Sequence, residues 1–245
     1  MSILTQSQGL LARAARLAGC AADAFLAQDC LLCGQASGGE ILCAACADDL
    51  PRRPALRCPR CALPTALGET CGPCLAHPPH YDRTLAVFDY AFPLDKLIQA
   101  FKYGHRLALA ACLGKELTRL AQASGPESRA DLIVPLPLHP TRLRERGFNQ
   151  ALELARPVAR ALGLPLDFEV CTRIRHTPAQ AGLPWKQRGK NVRGAFHCAR
   201  DLSGRRILLV DDVMTTGASL DECARTLKRH GAAEVTLLVV ARTLP

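Results

Sequence analysis

Residues Ile207-Leu208-Leu209-Val210 form an unbroken apolar run that ends in two adjacent acids, Asp211 and Asp212. Val213 and Met214 follow, and then a stretch of small and hydroxyl residues, Thr215-Thr216-Gly217-Ala218-Ser219. The apolar run fits a buried strand, and the C-terminal end of such a strand is where open parallel sheets bind ligands. A loop that opens a helix presents successive backbone N–H groups. With the hydroxyls of Thr215, Thr216 and Ser219 these form a nest for a terminal phosphate. The carboxylates beside it can accept hydrogen bonds from sugar hydroxyls. By its residues alone, the segment has the chemistry of a ribose 5-phosphate site.

A second chemistry lies upstream. Eight of the thirteen cysteines fall into four CxxC pairs, Cys30/Cys33, Cys43/Cys46, Cys58/Cys61 and Cys71/Cys74. In a CxxC turn the two thiolates converge on one side of a tight knuckle, and two knuckles complete a tetrahedral zinc site of four sulfurs. Nine residues separate the first two pairs, eleven the middle ones and nine the last two. This rhythm reads as two tandem ribbons, each with its own structural zinc; the alternative is a cross-braced arrangement in which alternate pairs share a metal. The segment has too few large apolar groups to fold unaided, so metal binding supplies its folding energy. Chelation is expected to melt the first 80 or so residues. No histidine accompanies the thiols and no open coordination position is evident, so the ribbons are read as structural or as partner-binding. Cys20, Cys112, Cys171, Cys198 and Cys223 lack such pairing and are expected to be reduced, which points to the cytoplasm.

The elements that must position these groups follow from apolar periodicity. Leu85 to Tyr90 alternates like a strand, and Leu94, Leu97, Ile98 and Phe101 have helical spacing. A second helix runs to about Ala123, before the break at Ser124-Gly125-Pro126. Leu132-Ile133-Val134 reads as a buried strand stopped by Pro135 and Pro137. A helix from Gln150 to Leu162 is ended by Gly163. A helix from about Gly217 to His230 lies between the strand before Asp211 and a strand from Val235 to Val240. Strand, loop, helix, strand implies parallel pairing, hence an α/β domain with flanking helices. The expected divisions are an N-terminal helix over residues 1–28, a double zinc ribbon over 29–76 and the α/β domain over 77–245. Leu17-Ala18-Gly19-Cys20 mimics the box before a lipidated cysteine, but Arg13 and Arg16 occupy the place of the apolar signal core. The segment is therefore read as an amphipathic helix with Leu10, Leu11, Ala14, Leu17, Ala21 and Phe25 near one face.

The formal net charge is +9. Fourteen Lys and Arg against five Asp and Glu lie between His139 and Arg206, so the whole surplus sits there. Such confinement suggests an anionic partner, polyphosphate or nucleic acid. No uncharged apolar stretch approaches the roughly 20 residues needed to cross a bilayer, so no membrane span is expected.

The Ile207–Ser219 segment resembles the signature for phosphoribosyl pyrophosphate in type I phosphoribosyltransferases. With the CxxC knuckles, Phe101-Lys102-Tyr103-Gly104, Val134-Pro135-Leu136-Pro137 and Arg146-Gly147-Phe148-Asn149-Gln150, the chain resembles the ComF family of competence-associated proteins over nearly its whole length. Residues 172 to 196, an exposed basic excursion without apolar periodicity, match through Arg173, Thr177, Gln180, Leu183, Arg188, Asn191, Val192, Gly194 and Phe196. The resemblance implies a type I phosphoribosyltransferase-like sheet behind a small zinc-ribbon domain. It also implies binding of phosphoribosyl pyrophosphate with Mg²⁺ by Asp211, Asp212 and the Thr215–Ser219 loop. It puts the Pro135 to Leu138 turn, with Pro135 and Leu136 as its site residues, where a pyrophosphate loop sits in such folds, with Arg146 within reach of the same phosphates.

Two functions are then open. One is a protein of DNA uptake and natural transformation that contacts single-stranded DNA and the competence machinery, with Trp185 and Phe148 as candidate stacking platforms. The other is an enzyme of nucleotide metabolism moving the phosphoribosyl group to an acceptor. In that case the protein stabilises charge on departing pyrophosphate, with Arg173, Arg175 and Arg188 as the catalytic candidates on a loop that can close as a lid. The same arginines could instead track a nucleic-acid backbone.

Overall fold

A computed structural model describes residues 28–125, 130–176 and 192–244. The expected N-terminal helix lies outside the described residues, as do Cys20, Trp185, Lys186, Arg188, Lys190 and the family-like positions Thr177, Gln180, Leu183 and Asn191. Two compact units divide between Leu50 and Pro51.

In the first unit, Asp29 and Ala36 form an antiparallel bridge around the first knuckle, and the Gly34 N–H donates to the Cys30 carbonyl at 2.9 Å. Cys43 then caps a one-turn helix, α1 (Ala44–Asp48). The second unit opens with the same pattern. Arg57 bridges Pro64, the Ala62 N–H donates to the Cys58 carbonyl at 2.9 Å, and Cys71 caps α2 (Gly72–Ala76). The opening knuckle of each ribbon ends on a left-handed residue, Gly34 at φ 73° in the first ribbon and Ala62 at φ 57° in the second. A side chain in that conformation is uncommon, and Ala62 is completely buried there.

The core of the second unit is a parallel sheet. Its strands are β1 (Arg83–Asp89), β2 (Leu132–Pro135), β5 (Arg206–Met214) and β6 (Glu234–Arg242), ordered β1-β6-β5-β2. The sheet is continued on both sides. Residues 51–53 run antiparallel to β1, the Arg53 N–H donating to Val87 and the Asp89 N–H to Pro51. Residues 165–167 run beside β2, exchanging hydrogen bonds with Ile133. A short antiparallel hairpin, β3 (Cys171–Arg173) with β4 (Phe196–Cys198), forms the stem of the basic excursion.

Helices cover the sheet. α3 (Leu94–Tyr103) buries Leu94, Leu97, Ile98 and Phe101, the spacing of a single apolar stripe. α4 (Ala108–Ala123) packs on α6 (Gln150–Leu162), α4 reaching β1 and β6 and α6 reaching β2 and β5. A Cβ at Gly114 would overlap Pro157 Cγ, so glycine lets the proline-bearing helix close onto α4. α6 begins with the Asn149 side chain accepting the Ala151 N–H at 3.0 Å and ends at Gly163 with φ 66°. α5 (Pro140–Arg146) is capped by His139, whose Nδ1 accepts the Thr141 N–H, and stops at left-handed Gly147.

In β5, Ile207 and Leu209 enter one buried cluster with Val235, Leu237 and Val239 of β6, residues of the hairpin, and Leu220, Cys223, Ala224 and Leu227 of α7 (Ala218–Arg229). Cys58, Cys61, Ala62 and Cys74 belong to that same cluster. The second ribbon therefore shares its core with the sheet, and the compact boundary falls 26 residues before the expected one at 76/77. A ribbon too small to bury its own apolar groups has here used the sheet to do so.

Candidate functional site

β5 runs four buried residues, Ile207 to Val210, into the acids, and α7 starts four residues after its end. Gly217 makes the turn at φ 82°, a conformation that favours glycine, and a Cβ there would displace the end of the Met214 side chain, 2.7 Å away. The Thr216 hydroxyl accepts the Ala218 N–H at 3.3 Å. Thr215, Gly217, Ala218 and Ser219 line a cavity of about 250 Å³ at the C-terminal end of β5.

Both acids face this cavity in different surroundings. Asp212 is 5% exposed and pairs with Lys102 Nζ at 2.9 Å. Asp211 Oδ1 accepts the Asp212 N–H at 2.9 Å. Burial first, and then the neighbouring Asp212 charge, push the Asp211 carboxyl up to about 7, against the pull of Lys102. Burial opposes the Lys102 charge, but Asp212 and then Asp211 outweigh it and raise its pKa.

Across the cavity stand cations. Arg142 and Arg146 come from α5 and Arg173 from β3, with Arg146 over the Tyr103 ring at 5.3 Å. Burial lowers the Arg173 pKa and Asp211 opposes it. Arg173 also stacks over Phe196 on the paired strand, at 5.5 Å.

The structure thus brings Asp211, Asp212, Thr215, Gly217, Ala218, Ser219, Leu136, Arg146 and Arg173 to one cavity. Thr216 turns its hydroxyl to the helix start, and Pro135 lies in β2 opposite Val210 rather than stopping the strand before it. Arg175 points to the neck of the excursion, donating to the Arg193 carbonyl. Arg188 lies outside the described residues. Lys102, Tyr103, His139, Arg142 and Gln150 also line the cavity and carried no site role in the sequence reading. Lys102 and Tyr103 had a signal, since both belong to the family-like run Phe101-Lys102-Tyr103-Gly104.

The cysteines converge as two tandem sets, Cys30/Cys33/Cys43/Cys46 and Cys58/Cys61/Cys71/Cys74, with all sulfurs in each set within 4.8 Å of one another. Cys33 and Cys43 are 3.7 Å apart and Cys61 and Cys71 3.5 Å. Zn–S bonds of about 2.3 Å in a tetrahedron require sulfur separations of about 3.8 Å, so both sets fit zinc. Burial raises the Cys58 thiol, but the N–H groups of Cys61, Cys71 and Arg60 outweigh it and bring it down to about 7, whereas burial pushes the Cys61 thiol up to about 11.

A phosphoribosyltransferase-type α/β domain carrying a double zinc ribbon is the class that this fold and these sites define. The family model described as Phosphoribosyl transferase domain matches residues 149–244, and that described as Double zinc ribbon domain matches residues 21–75. The DNA utilization protein YhgH of Salmonella typhimurium is 38% identical over 207 residues, which are 83% of this chain and 91% of that protein. Competence protein F of Haemophilus influenzae is 34% identical over 180 residues, 71% of this chain and 79% of that protein. The chain belongs to the ComF family. Among solved structures, glutamine phosphoribosylpyrophosphate amidotransferase from B. subtilis, complexed with ADP and GMP, overlays with a TM-score of 0.36 at 25% identity, covering 53% of this chain and 25% of that one.

Proposed function

We propose that this protein binds phosphoribosyl pyrophosphate with Mg²⁺ in the cavity at the end of β5, and that it acts on single-stranded DNA in the cytoplasm during uptake and natural transformation. The observation that carries the first half is the convergence of the Thr215–Ser219 loop, two acids of unlike character and three arginines on one cavity. The loop N–H groups and hydroxyls receive the 5-phosphate. Asp211 and Asp212 accept the ribose hydroxyls, with Lys102 fixing the Asp212 carboxylate. Arg142, Arg146 and Arg173 face the pyrophosphate as guanidinium forks. The carboxylates of Asp211 and Asp212 are hard oxygen donors of the kind Mg²⁺ takes, and the ion would neutralise charge on the pyrophosphate. The names of the relatives and the basic surplus between His139 and Arg206 support the DNA half.

Calorimetric titration with phosphoribosyl pyrophosphate and Mg²⁺ tests the ligand. Replacing Asp211 and Asp212 together by Ala removes charged acceptors worth about 1.5 to 3 kcal/mol each, so affinity should fall at least about tenfold. Affinity equal to that of the unaltered protein would remove the reading. The position of Arg173, part-buried beside Asp211 on the hairpin stem, favours a second reading in which the site also turns over. Release of pyrophosphate with any of a panel of acceptor bases and amines would establish it.

A further inference from the structure

Arg242, the last residue of β6, is 3% exposed, and its side chain spans from the phosphate loop to the second cysteine set. Nε donates to the carbonyl of Cys61 at 3.0 Å. Nη1 donates to the carbonyl of Met214 at 3.0 Å and to that of Thr215. Cys61 is one of the four sulfur donors, Met214 ends β5 and Thr215 begins the phosphate loop. One planar group therefore holds the backbone of a metal ligand against the backbone of the loop. A lysine in its place would have a single terminal nitrogen and no rigid fork to span both.

The neighbouring contacts tighten the same joint. The Tyr81 hydroxyl lies 3.5 Å from where a Gly217 Cβ would stand. The His80 N–H donates to Asp221 Oδ1, in the first turn of α7, at 2.6 Å. On the far side of the knuckle, Arg53, with no exposed side-chain surface, donates to the carbonyl of left-handed Ala62 and pairs with Asp89. Four thiolates around a divalent ion carry net negative charge, and Arg53 and Arg242 are the buried cations gripping the Cys61-Ala62 backbone beside it. Loss of the ion would untie Cys61 from its three partners and loosen the carbonyl that Arg242 holds.

We infer that Arg242 is a positioning residue for the phosphate loop, and that the metal at Cys58/Cys61/Cys71/Cys74, unlike the one at Cys30/Cys33/Cys43/Cys46, is part of the phosphate-binding site. The inference rests on reading Thr215–Ser219 as the phosphate loop. Its consequence is that affinity for a ribose phosphate responds to the occupancy of one zinc site and not the other.

The test uses the full, zinc-loaded chain and two readouts: hydrogen exchange of the 215–219 amides without ligand, and affinity for ribose 5-phosphate. Arg242→Met should retain both zinc ions while loop exchange accelerates and affinity falls, each by at least about tenfold, because the loss of charged donors frees the carbonyls of Met214, at the strand end, and Thr215, at the loop start. Arg242→Lys should fall between the two, since charge is kept and the fork is not. Cys71→Ser should lose one zinc and release the loop in the same way. Cys33→Ser should also lose one zinc and leave the loop as it is in the unaltered chain. Loop exchange unchanged in both Arg242→Met and Cys71→Ser would overturn the inference. So would equal release by Cys33→Ser. If Cys71→Ser fails to fold, the two Arg242 variants decide the role of Arg242, and loop exchange in the unaltered chain stripped of zinc by a chelator, set against that of Cys33→Ser, decides the role of the metal. If the unaltered chain does not bind ribose 5-phosphate, the phosphate-loop reading fails, while the exchange data still decide whether Arg242 and the metal hold the loop.

Discussion

Asp211 and Asp212 are adjacent in sequence and unlike in state. Asp212 has a lysine at 2.9 Å, whereas burial and Asp212 itself push the Asp211 carboxyl up to about 7. A carboxyl with a raised folded pKa holds its proton more tightly folded than unfolded. In the ligand-free protein its stabilising contribution is therefore present below the ordinary aspartate range and is lost as pH rises through about 7. Ligand binding runs the other way, because only the ionised group accepts two hydroxyls or attracts a cation. Affinity for phosphoribosyl pyrophosphate with Mg²⁺ should therefore strengthen between pH 6 and 8, while the free protein melts at lower temperature over the same interval. Asp211→Asn should remove both trends that belong to this residue, leaving the pH dependence of the ligand's own phosphates, whose second ionisation lies near about 6. Titration and melting series at several pH values check this; identical profiles for the two proteins would show that Asp211 does not titrate there.

At the scale of elements, the β3–β4 hairpin joins the two halves of the proposal. Its stem contributes Arg173 to the cavity, while Arg175 braces the neck through the Arg193 carbonyl. If the excursion beyond it grips a single strand, affinity should fall with salt at a log–log slope of about −0.7 per phosphate contacted. Changing Lys186, Arg188 and Lys190 to Ala should lower that slope by about one contact each, whereas Arg173→Ala should impair the pyrophosphate end of the cavity and leave the slope alone. Fluorescence anisotropy with a labelled oligonucleotide across a salt series measures it, and an unchanged slope in the triple variant would place the DNA elsewhere. The elements legible in the sequence were those with long apolar signals. β5, β6, α6 and α7 carry continuous runs or helical stripes with glycine at their ends, and the phosphate loop between β5 and α7 came with them. α5 was not legible, because Pro140-Thr141-Arg142-Leu143-Arg144-Glu145-Arg146 has one large apolar residue in seven and buries none. Arg142 was lost with it. Lys102 meets Asp212 only through tertiary packing, 110 residues away in sequence, and periodicity holds no trace of such a pair. The three-residue ladders of the hairpin fall below what alternation can reveal.

For the whole molecule, the two ribbons are alike in sequence and unequal in status. The first closes on itself within residues 28–50, while the second is built into the core under the phosphate loop. The spacing of the cysteines foretold two equivalent modules because spacing reports local turns and says nothing of what a knuckle rests against. Residues 51–53, laid along β1, carry a further consequence. Together with residues 165–167 on the opposite flank, they leave no strand edge of the parallel sheet open along those stretches. An uncovered edge is a template for pairing with another chain, and proteins that keep one exposed tend to aggregate through it. A fragment trimmed at the apparent end of the cysteine segment, residues 77–245, would uncover β1 and strip Asp89 of Arg53, whereas residues 51–245 would keep both. Light scattering should find the shorter fragment self-associating and the longer one monodisperse with one zinc; a monodisperse shorter fragment would refute this. The strip between the two ribbons, residues 51–53, thus occupies the edge of β1 at which another chain would otherwise pair.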